Sequence, residues 1–587
     1  MKILLVAVNA KYTHMNPAVY SIRAYAGDAG KCMEIAEYTI NQYPRDVLRD
    51  IYERAPDVIG FSCYIWNMNF IGEMLRDIKK VLPKTLVFLG GPEVAYNREA
   101  VLEKYPAVDG VFYGDGERAW KELICHLIAA EDIGDIPGLQ IRGRKSCGNY
   151  PQMTEMDDIP FIYDDLELFD NRMLYYETSR GCPFRCSYCL SSVDKRMRFR
   201  SLDKVLPELQ HFLDHNVRIV KFIDRTFNAS HEHAMTIWKY LADHDNGVSR
   251  FHFEIEADLL SEDEMAFLQT VRPGLFQFEV GVQSVNRDTL KAINRHADID
   301  RIKDRVTRLV SYGNIPVHVD LIAGLPFEDL RSFRNSFNEV YGWGAEELQL
   351  GFLKLLHGTE MEQKADEYGI VCEEAPVYEV LSTRWLTYDD INYLKDIEEQ
   401  LERYGNSGAY RYTVAAFEQY FTSPFDMYAY IADYYRENMD RFRKQSRISS
   451  YEMLRGIIAE KLQQMNAVFG GWNLGCADSR HFDALLLIDL YLKEKLKVRP
   501  EFIAGAGEQR SKEREYIRAH SIAGTVHIEF FDFDVWEFIH DGDIIEKEKD
   551  SCVVIFSYEG QGAASSVQIK CADRSEFLKQ PTVYDIK

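Results

Sequence analysis

Long apolar runs are absent from this chain of 587 residues. No uninterrupted stretch approaches the roughly 20 apolar residues that a membrane-spanning helix needs, and the chain has no internal repeat or low-complexity tract. The opening MKILLVAVNAKY is a short apolar run that polar residues end at once, which is typical of a first β-strand rather than a signal peptide. These absences predict a cytoplasmic protein without a membrane span.

Positive charge is in short supply. The 69 Lys and Arg residues are outnumbered by 93 Asp and Glu residues, and the formal net charge is −24. Broad binding of nucleic acid depends on Lys and Arg that displace counterions from phosphates. The charge balance therefore favours a small molecule or a peptide over RNA as the substrate, although it leaves room for a local basic patch.

Cysteine is also scarce, with 11 residues and no export signal, so a disulfide framework is not expected. Three cysteines, Cys182, Cys186 and Cys189, are clustered. The other eight are isolated, and we expect them to be buried small apolar side chains: Cys32, Cys63, Cys125, Cys147, Cys372, Cys476, Cys552 and Cys571.

Strand-like and helix-like segments alternate over residues 1–145. Apolar runs of the fully buried kind occur at 2–8, 56–66 and 85–91, each next to an amphipathic segment. This alternation predicts a doubly wound parallel sheet, a Rossmann-like α/β domain covered on both faces. Ligands of such domains bind at the carboxyl ends of the strands, where the backbone must turn tightly.

A second alternation follows a linker at residues 146–171. Six strands are predicted between 172 and 370, at 175–180, 218–224, 251–257, 275–282, 316–324 and 347–356. Six β/α units predict a partial (β/α)6 barrel whose chemistry lies at the carboxyl rim of its strands. Residues 371–587 are Tyr-rich and charged, and they predict a mostly helical α+β domain of unknown role.

The clustered cysteines form a C-x3-C-x2-C pattern in a loop after a predicted strand. Three thiolates can hold three irons of a [4Fe–4S] cubane and leave the fourth iron without a protein ligand. That iron can chelate the amino and carboxylate groups of S-adenosylmethionine (SAM), and an electron from the cluster can then break the sulfonium C–S bond to give a 5′-deoxyadenosyl radical. The alternative is a structural zinc site, but zinc needs four ligands and only the distant Cys147 and His211 could complete the set.

The segment ETSRGCPFRCSYCLSS and the strands after it resemble the radical SAM superfamily. The resemblance implies that Tyr188 accompanies the cluster. It also implies SAM contacts on three later strands, with Asp224 or Thr226 in place of the usual Gly-Gly-Glu for the SAM amine. The remaining contacts implied are Glu279, Gln283 and Ser284 on the fourth strand, and Gly324 and Leu325 beside the adenine after the fifth.

The N-terminal domain resembles the cobalamin-binding domain of one radical SAM subgroup. Two glycine-containing turns carry this resemblance and imply the corrin contacts Gly90, Gly91, Pro92 and Glu93, then Gly114, Gly116 and Glu117. The D-x-H-x-x-G pattern that supplies histidine to cobalt in other cobalamin enzymes is absent. His14 is a candidate axial ligand, with a solvent-facing or capping role as its alternative, and a nucleotide-type domain that has lost its ligand is the alternative for the whole domain.

These resemblances imply a cobalamin-dependent radical SAM methyltransferase that acts on an unactivated carbon and receives electrons from a donor such as flavodoxin or ferredoxin. A cobalamin-dependent rearrangement, cyclisation or redox reaction is the second interpretation. A tRNA methylthiotransferase needs three more cysteines in the N-terminal domain, and the first loop, NAKYTHMNP, has none. A non-catalytic scaffold with an inert metal site is the fourth. By fold-level analogy, the C-terminal region is expected to cap the barrel or bind substrate.

Overall fold

A computed structural model describes most of the chain, and it divides the chain into two compact units. The first contains residues 1–346 and 350–391, and the second contains 347–349 and 392–587. The segment 371–391, which the sequence assigned to the C-terminal region, lies in the first unit. The residues described are 1–144, 153–194, 196–438, 446–468, 478–496, 499–500, 506–541, 544–559, 564–571 and 574–578.

The N-terminal part of the first unit is a six-stranded sheet in the order β2-β1-β3-β4-β5-β6. Its central strands pair in parallel, and β6 is an antiparallel edge. Every residue of β1 is buried, as expected for a strand covered on both faces. The elements are β1 (Ile3–Asn9), β2 (Met33–Thr39), β3 (Val58–Ser62), β4 (Leu86–Gly90), β5 (Gly110–Phe112), β6 (Leu139–Ile141), α1 (Pro17–Tyr25), α2 (Pro44–Arg54), α3 (Met68–Val81), α4 (Pro92–Ala95), α5 (Arg98–Lys104) and α6 (Gly116–Ala129).

The second sheet has the order β14-β13-β12-β11-β10-β7, and its strands from β7 to β13 pair in parallel. The predicted fold class, an α/β N-terminal domain followed by a six-stranded partial barrel, is confirmed. The elements are β7 (Leu174–Tyr176), β8 (Ser179–Arg180), β9 (Arg198–Phe199), β10 (Ile219–Phe222), β11 (Arg250–Ile255), β12 (Phe276–Gln283), β13 (Val317–Ala323), β14 (Glu347–Phe352), α7 (Leu202–Asp214), α8 (His231–Asp243), α9 (Glu262–Leu268), α10 (Arg287–Ala292), α11 (Ile299–Tyr312) and α12 (Leu330–Tyr341).

Shorter elements follow the barrel, and then the mostly helical region with a four-stranded antiparallel sheet, β17-β18-β19-β20. Among the helices of the described residues, none is both long and apolar enough to cross a bilayer. The elements are α13 (Glu360–Gln363), α14 (Ala365–Tyr368), β15 (Val371–Cys372), β16 (Val380–Ser382), α15 (Tyr388–Gln400), α16 (Arg411–Glu418), α17 (Pro424–Asn438), α18 (Arg447–Val468), α19 (Ser479–Lys493), α20 (Ala506–His520), β17 (Thr525–Phe531), α21 (Val535–Asp541), β18 (Cys552–Tyr558), β19 (Ser566–Cys571) and β20 (Arg574–Leu578).

The isolated cysteines do not all behave as expected. Cys63 is a buried free thiol, as predicted, but Cys32 and Cys125 are exposed and Cys372 is half-buried. Cys552 and Cys571 form a disulfide, because they lie directly opposite each other on β18 and β19. Sequence spacing could not reveal that register. Cys147 and Cys476 lie outside the described residues.

Candidate functional site

The three clustered cysteines lie in a loop that starts directly after β8. Gly181 opens the loop with φ of +93°, and a Cβ there would lie 2.5 Å from the carbonyl oxygen of Arg196, so only glycine fits. The amide of Cys182 donates to the carbonyl of Asp194 at 3.3 Å, and the amide of Cys189 donates to the carbonyl of Cys186 at 3.1 Å. Backbone hydrogen bonds therefore hold the loop in shape.

All three thiols of the loop are free, and their sulfurs do not converge as the ligands of one ion would. Among the described residues, the only three His, Cys, Asp or Glu ligand atoms within 4.8 Å of one another belong to Asp534, Cys552 and Cys571, two of which are bonded to each other. Sulfurs bound to one zinc at about 2.3 Å must lie closer together than that. The arrangement of the loop therefore fits a cluster with several irons better than a zinc ion.

A buried arginine that the sequence did not single out lies beside the loop. Arg295 Nη1 is 3.8 Å from the sulfur of Cys186, although 109 residues separate the two in the chain. Its Nη2 contacts the carboxylate of Glu256 at 2.8 Å and also donates to the carbonyl of Gly281. Burial raises the pKa of the Cys186 thiol, and the positive charge of Arg295 partly opposes this effect. Arg295 therefore favours the thiolate form that iron requires.

Two buried oxygens without a hydrogen-bond partner lie on adjacent barrel strands. Gln283 is at the end of β12 with φ of +71°, after a bulge that begins at Gly281. Its Oε1 and the Oδ1 of Asp320 on β13 are both buried and unpartnered. A non-glycine residue with positive φ beside buried oxygens that accept no hydrogen bond is typical of a ligand site. Both oxygens are suited to accept hydrogen bonds from the ammonium or ribose hydroxyl groups of SAM.

The candidates on the second barrel strand occupy different environments. Thr226 is buried, and its Oγ1 is 3.5 Å from the sulfur of Cys182. Asp224 is instead saturated with hydrogen bonds, because it accepts from the amide and hydroxyl of Thr178 and from the hydroxyl of Ser179. Of the two, Thr226 has the position expected of a group beside the cluster. Asp224 stabilises the segment before the loop through its hydrogen bonds to Thr178 and Ser179.

Three other candidates have structural partners of their own. Glu279 lies between Lys221, at 3.1 Å, and His252, at 3.2 Å. Burial alone would raise the pKa of Glu279, but these two partners outweigh it and lower the pKa to about 2. Tyr188 is half-buried and interacts electrostatically with Arg295. Ser284 is fully buried and donates to Glu328 at 2.7 Å.

The adenine-side candidates form a tight turn after β13. Gly324 has φ of +92°, and a Cβ there would lie 2.7 Å from Val380 Cγ1. Leu325 is completely buried. Glycine is therefore required by backbone geometry and by the close approach of the segment around β16.

Glu328 provides a pH-dependent test of this turn. Burial raises its pKa to about 7, against an ordinary value of 4.5, and the hydroxyls of Ser284 and Ser336 only partly oppose the effect. Because the folded protein binds the proton more tightly, Glu328 contributes stability that is fully present below about pH 4.5 and is lost as the pH rises to about 7, a change of about 3 kcal/mol. We expect Glu328→Gln to flatten the fall in unfolding free energy over this range, measured by denaturant titration. The exposed Glu367→Gln should leave the slope unchanged, and an unaltered slope in Glu328→Gln would contradict the assignment.

A cavity of about 350 Å³ lies where the strand ends of the N-terminal sheet meet the start of the barrel. Its volume is in the lower part of the usual range for ligand cavities, and apolar side chains such as Leu5, Phe112 and Trp120 line part of it. The barrel contributes Tyr175, Tyr176, Glu177 and Arg180. Six of the seven predicted corrin contacts line this cavity: Gly90, Gly91, Pro92, Gly114, Gly116 and Glu117.

Two of those glycines are required by the backbone itself. Gly91 has φ of +117°, and a Cβ there would lie 2.3 Å from the carbonyl oxygen of Cys63. Gly114 has φ of +74°. These turns leave backbone rather than side chains at the cavity wall, so a ligand can approach the backbone closely there.

Glu93, the seventh predicted contact, does not line that cavity. Its carboxylate accepts a hydrogen bond from the hydroxyl of Tyr378 at 2.5 Å, in a separate cavity that His357 and Cys372 also line. Burial raises the pKa of Glu93. Glu93 lies on the short helix α4, which directs its side chain away from the strand ends. The sequence pattern Gly-Gly-Pro-Glu alone did not predict this direction.

His14 likewise does not line the cavity at the strand ends. Its Nδ1 is 2.8 Å from the hydroxyl of Tyr175, and Met173 forms a β-bridge with it. The histidine therefore joins the N-terminal sheet to the first barrel strand, which accounts for its position without a role as a cobalt ligand.

A buried ion network connects the N-terminal domain to the cysteine loop. Arg180 contacts Glu117 at 2.6 Å, Glu177 at 2.9 Å and Asp115 at 3.6 Å. Burial alone would raise the pKa of Glu117, but Arg180 outweighs it and lowers the pKa to about 2. Arg180 lines the cavity and is two residues before Cys182, so the cavity wall includes the residue that leads into the cysteine loop.

Comparison with known families divides the chain into three regions. The model of the B12 binding domain matches residues 3–124, and the model of the radical SAM superfamily matches residues 176–340. The model of a protein of unknown function, DUF4080, matches residues 366–556. The first two matches confirm the two domain types predicted from the sequence.

Curated relatives include the cobalamin-dependent radical SAM methyltransferase TokK of Streptomyces tokunonensis, 26% identical over 351 residues, which are 54% of this chain and 50% of that protein. The hopanoid C-3 methylase of Methylococcus capsulatus is 23% identical over 316 residues, 51% of this chain and 58% of that protein. The chain spans about half the length of the first curated relatives it matches.

Solved structures with a similar fold include the cobalamin-dependent S-adenosylmethionine radical enzyme OxsB, with a TM-score of 0.58, 14% identity and coverage of 83% of both chains. The radical S-adenosylmethionine methyltransferase TsrM of Kitasatospora setae has a TM-score of 0.52 and 18% identity, and the match covers 65% of this chain and 82% of that one. At these identities the likeness establishes the fold.

Proposed function

Because the chain belongs to the radical SAM proteins that carry an N-terminal B12-binding domain, we propose that it is a cobalamin-dependent methyltransferase acting on an unactivated carbon. A small molecule or a peptide is the favoured substrate, since the net charge of −24 disfavours RNA. The position of Arg180, which lines the cavity and lies two residues before Cys182, carries this proposal, because methyl transfer requires both cofactors next to one substrate.

The three thiolates of Cys182, Cys186 and Cys189 would hold a [4Fe–4S] cluster and leave one iron open to SAM. When bound, the cluster supplies the single electron that cleaves SAM, and cobalamin supplies a cobalt that carries a methyl group. The protein holds and orients these groups and excludes water from them.

Particular residues of the chain have defined tasks in this scheme. Gln283 and Asp320 would accept hydrogen bonds from SAM through their unpartnered oxygens. Arg295 would favour the thiolate form of Cys186 against the effect of burial and fix the loop through Glu256 and Gly281. The glycine turns at Gly91 and Gly114 would let the corrin approach the backbone closely.

The test is an anaerobic assay of the reconstituted full chain with reductant, cobalamin and SAM labelled on its methyl group. We expect formation of both 5′-deoxyadenosine and S-adenosylhomocysteine, because the scheme uses one SAM as radical source and another as methyl donor. If neither product formed above the level of the Cys186→Ala variant, the proposal would be wrong.

A second candidate function is a cobalamin-dependent cyclisation or redox reaction without methyl transfer. It is favoured by 21% identity over 332 residues to the anaerobic magnesium-protoporphyrin IX monomethyl ester cyclase of Rubrivivax gelatinosus. The same assay separates the two functions, since this one predicts 5′-deoxyadenosine without S-adenosylhomocysteine.

We also propose that the enzyme works in the cytoplasm with a low-potential electron donor such as flavodoxin or ferredoxin. An open iron–sulfur cluster is sensitive to oxygen, so it suits a reducing compartment. Reduction of the cluster by purified flavodoxin, followed by its absorbance, would test the partner.

A further inference from the structure

A polar cavity of about 190 Å³ lies within the second unit, in the region that matches the family of unknown function. It is formed by the end of α19, the helix α20 and the start of β17. Its volume is below the roughly 300–1,000 Å³ typical of cavities for drug-sized ligands and cofactors. Only a small ligand fits.

The cavity wall is rich in positive charge. Lys495, Arg499 and Arg510 all line it, and so does the imidazole of His527. Two carboxylates accompany them, Glu513 on the wall and the fully buried Glu529 behind it. Among the described residues, basic groups therefore outnumber acidic ones at this cavity.

Both carboxylates are already engaged by their neighbours. Glu529 accepts from Arg499 at 2.9 Å and from His527 at 2.8 Å. Glu513 is 3.4 Å from the other imidazole nitrogen and also accepts from the amide of Ile528. Burial alone would lower the pKa of His527, but the two carboxylates outweigh it and raise the pKa, so the imidazole carries positive charge more readily. The acids hold the cavity wall together and are not oriented for a cation.

The hydroxyl of Tyr491 is a buried donor at the cavity without a hydrogen-bond partner. Tyr491 is 1% exposed, its ring stacks on His527 with centroids 3.8 Å apart, and its hydroxyl has no hydrogen-bond partner in the structure. Leaving a buried hydroxyl unpaired is costly, so such groups usually have a ligand or water as their partner. A hydroxyl surrounded by basic side chains is suited to donate to an anion.

We infer that this cavity binds the oxyanion group of a small molecule, a phosphate or a carboxylate, through Tyr491, Arg499 and Arg510. The inference concerns the second unit alone and stands independently of the proposed methyl transfer. It assigns a ligand-binding role to the region of unknown function. The small volume and the positive charge of the cavity both select the ligand.

The test titrates the full-length chain with inorganic phosphate and, separately, with malonate, against sodium chloride of equal ionic strength. Calorimetry gives the affinity, and thermal unfolding gives the shift in midpoint. We expect at least one of the two anions to bind and to raise the midpoint beyond the effect of chloride. Binding of phosphate alone identifies a phosphorylated ligand, and binding of malonate alone identifies a carboxylate.

Two variants test the named contacts. Tyr491→Phe should weaken binding about tenfold, because a hydrogen bond to a charged group is lost, and it should not lower the ligand-free midpoint, because the hydroxyl has no protein partner. Arg510→Gln, at an exposed position, should weaken binding several-fold. Tyr516→Phe and Arg518→Gln, on the same helix α20 but away from the cavity wall, are the matched controls. The inference is overturned if neither anion exceeds chloride, or if the controls weaken binding as much as the cavity variants.

Discussion

Replacing Cys186 with alanine is expected to abolish the iron–sulfur cluster and all SAM cleavage. Cys186 is the most buried of the three loop cysteines, at 7% exposure, and the only one in contact with Arg295. Removal of a residue that hydrogen-bonds to a metal ligand typically lowers metal affinity about 10–100-fold. Removal of the ligand itself should lower it further. We therefore expect iron content and brown visible absorbance to fall to background after anaerobic reconstitution.

The matched control is Cys63→Ala, which removes another buried thiol that is not part of the loop. It should retain iron and produce 5′-deoxyadenosine at an unchanged rate. If Cys186→Ala kept its iron and its turnover, the three cysteines would not be the ligands of a catalytic cluster, and the whole functional interpretation would fail.

Replacing Arg180 with methionine is expected to destabilise the first unit by about 3–5 kcal/mol, because it leaves Glu117 and Glu177 buried without their cation. The effect should depend on pH. In the native protein Glu117 has a lowered pKa of about 2, so it contributes stability that is present above its ordinary value of 4.5 and lost as the pH falls towards 2. The difference between native protein and variant should therefore grow as the pH rises from about 2 to about 4.5 and keep its full size above that, and denaturant titrations across this range would measure it.

Arg118→Met is the control for Arg180→Met, since Arg118 forms an exposed pair with Glu122 on the helix that carries Glu117. Such a pair contributes about 0–1 kcal/mol. The double variant Arg180→Met with Glu117→Gln should recover part of the lost stability, because one uncompensated charge is removed. A loss in Arg180→Met no larger than in Arg118→Met would show that the network does not stabilise the junction of the two domains.

The region of unknown function shows where sequence patterns stop being informative. Tyr491, Arg499 and His527 come from a helix, a loop and a strand, and nothing in their spacing distinguishes them from the many other aromatic and charged residues of this region. Cys552 and Cys571 are likewise joined only by the register of two strands. Patterns within a single element predict helices and strands, but they do not identify residues that meet across elements.

The sequence by itself predicted the cysteine loop, the succession of the two α/β regions and most of the glycines that line the cavity. These features are local: three thiols within one loop, alternating strands and helices, and turn positions such as Gly91 and Gly181 that require a positive φ. Short-range geometry fixes them, so residue type and spacing are enough to predict them.

Only the tertiary structure decided which distant side chains complete the site. Folding places Arg295 next to Cys186, turns Glu93 towards Tyr378, and engages His14 with Tyr175. The physical reason is that a buried charge or polar group must find a partner wherever the packed chain provides one. The choice of partner depends on how the strands and helices meet, which spacing along the chain does not specify.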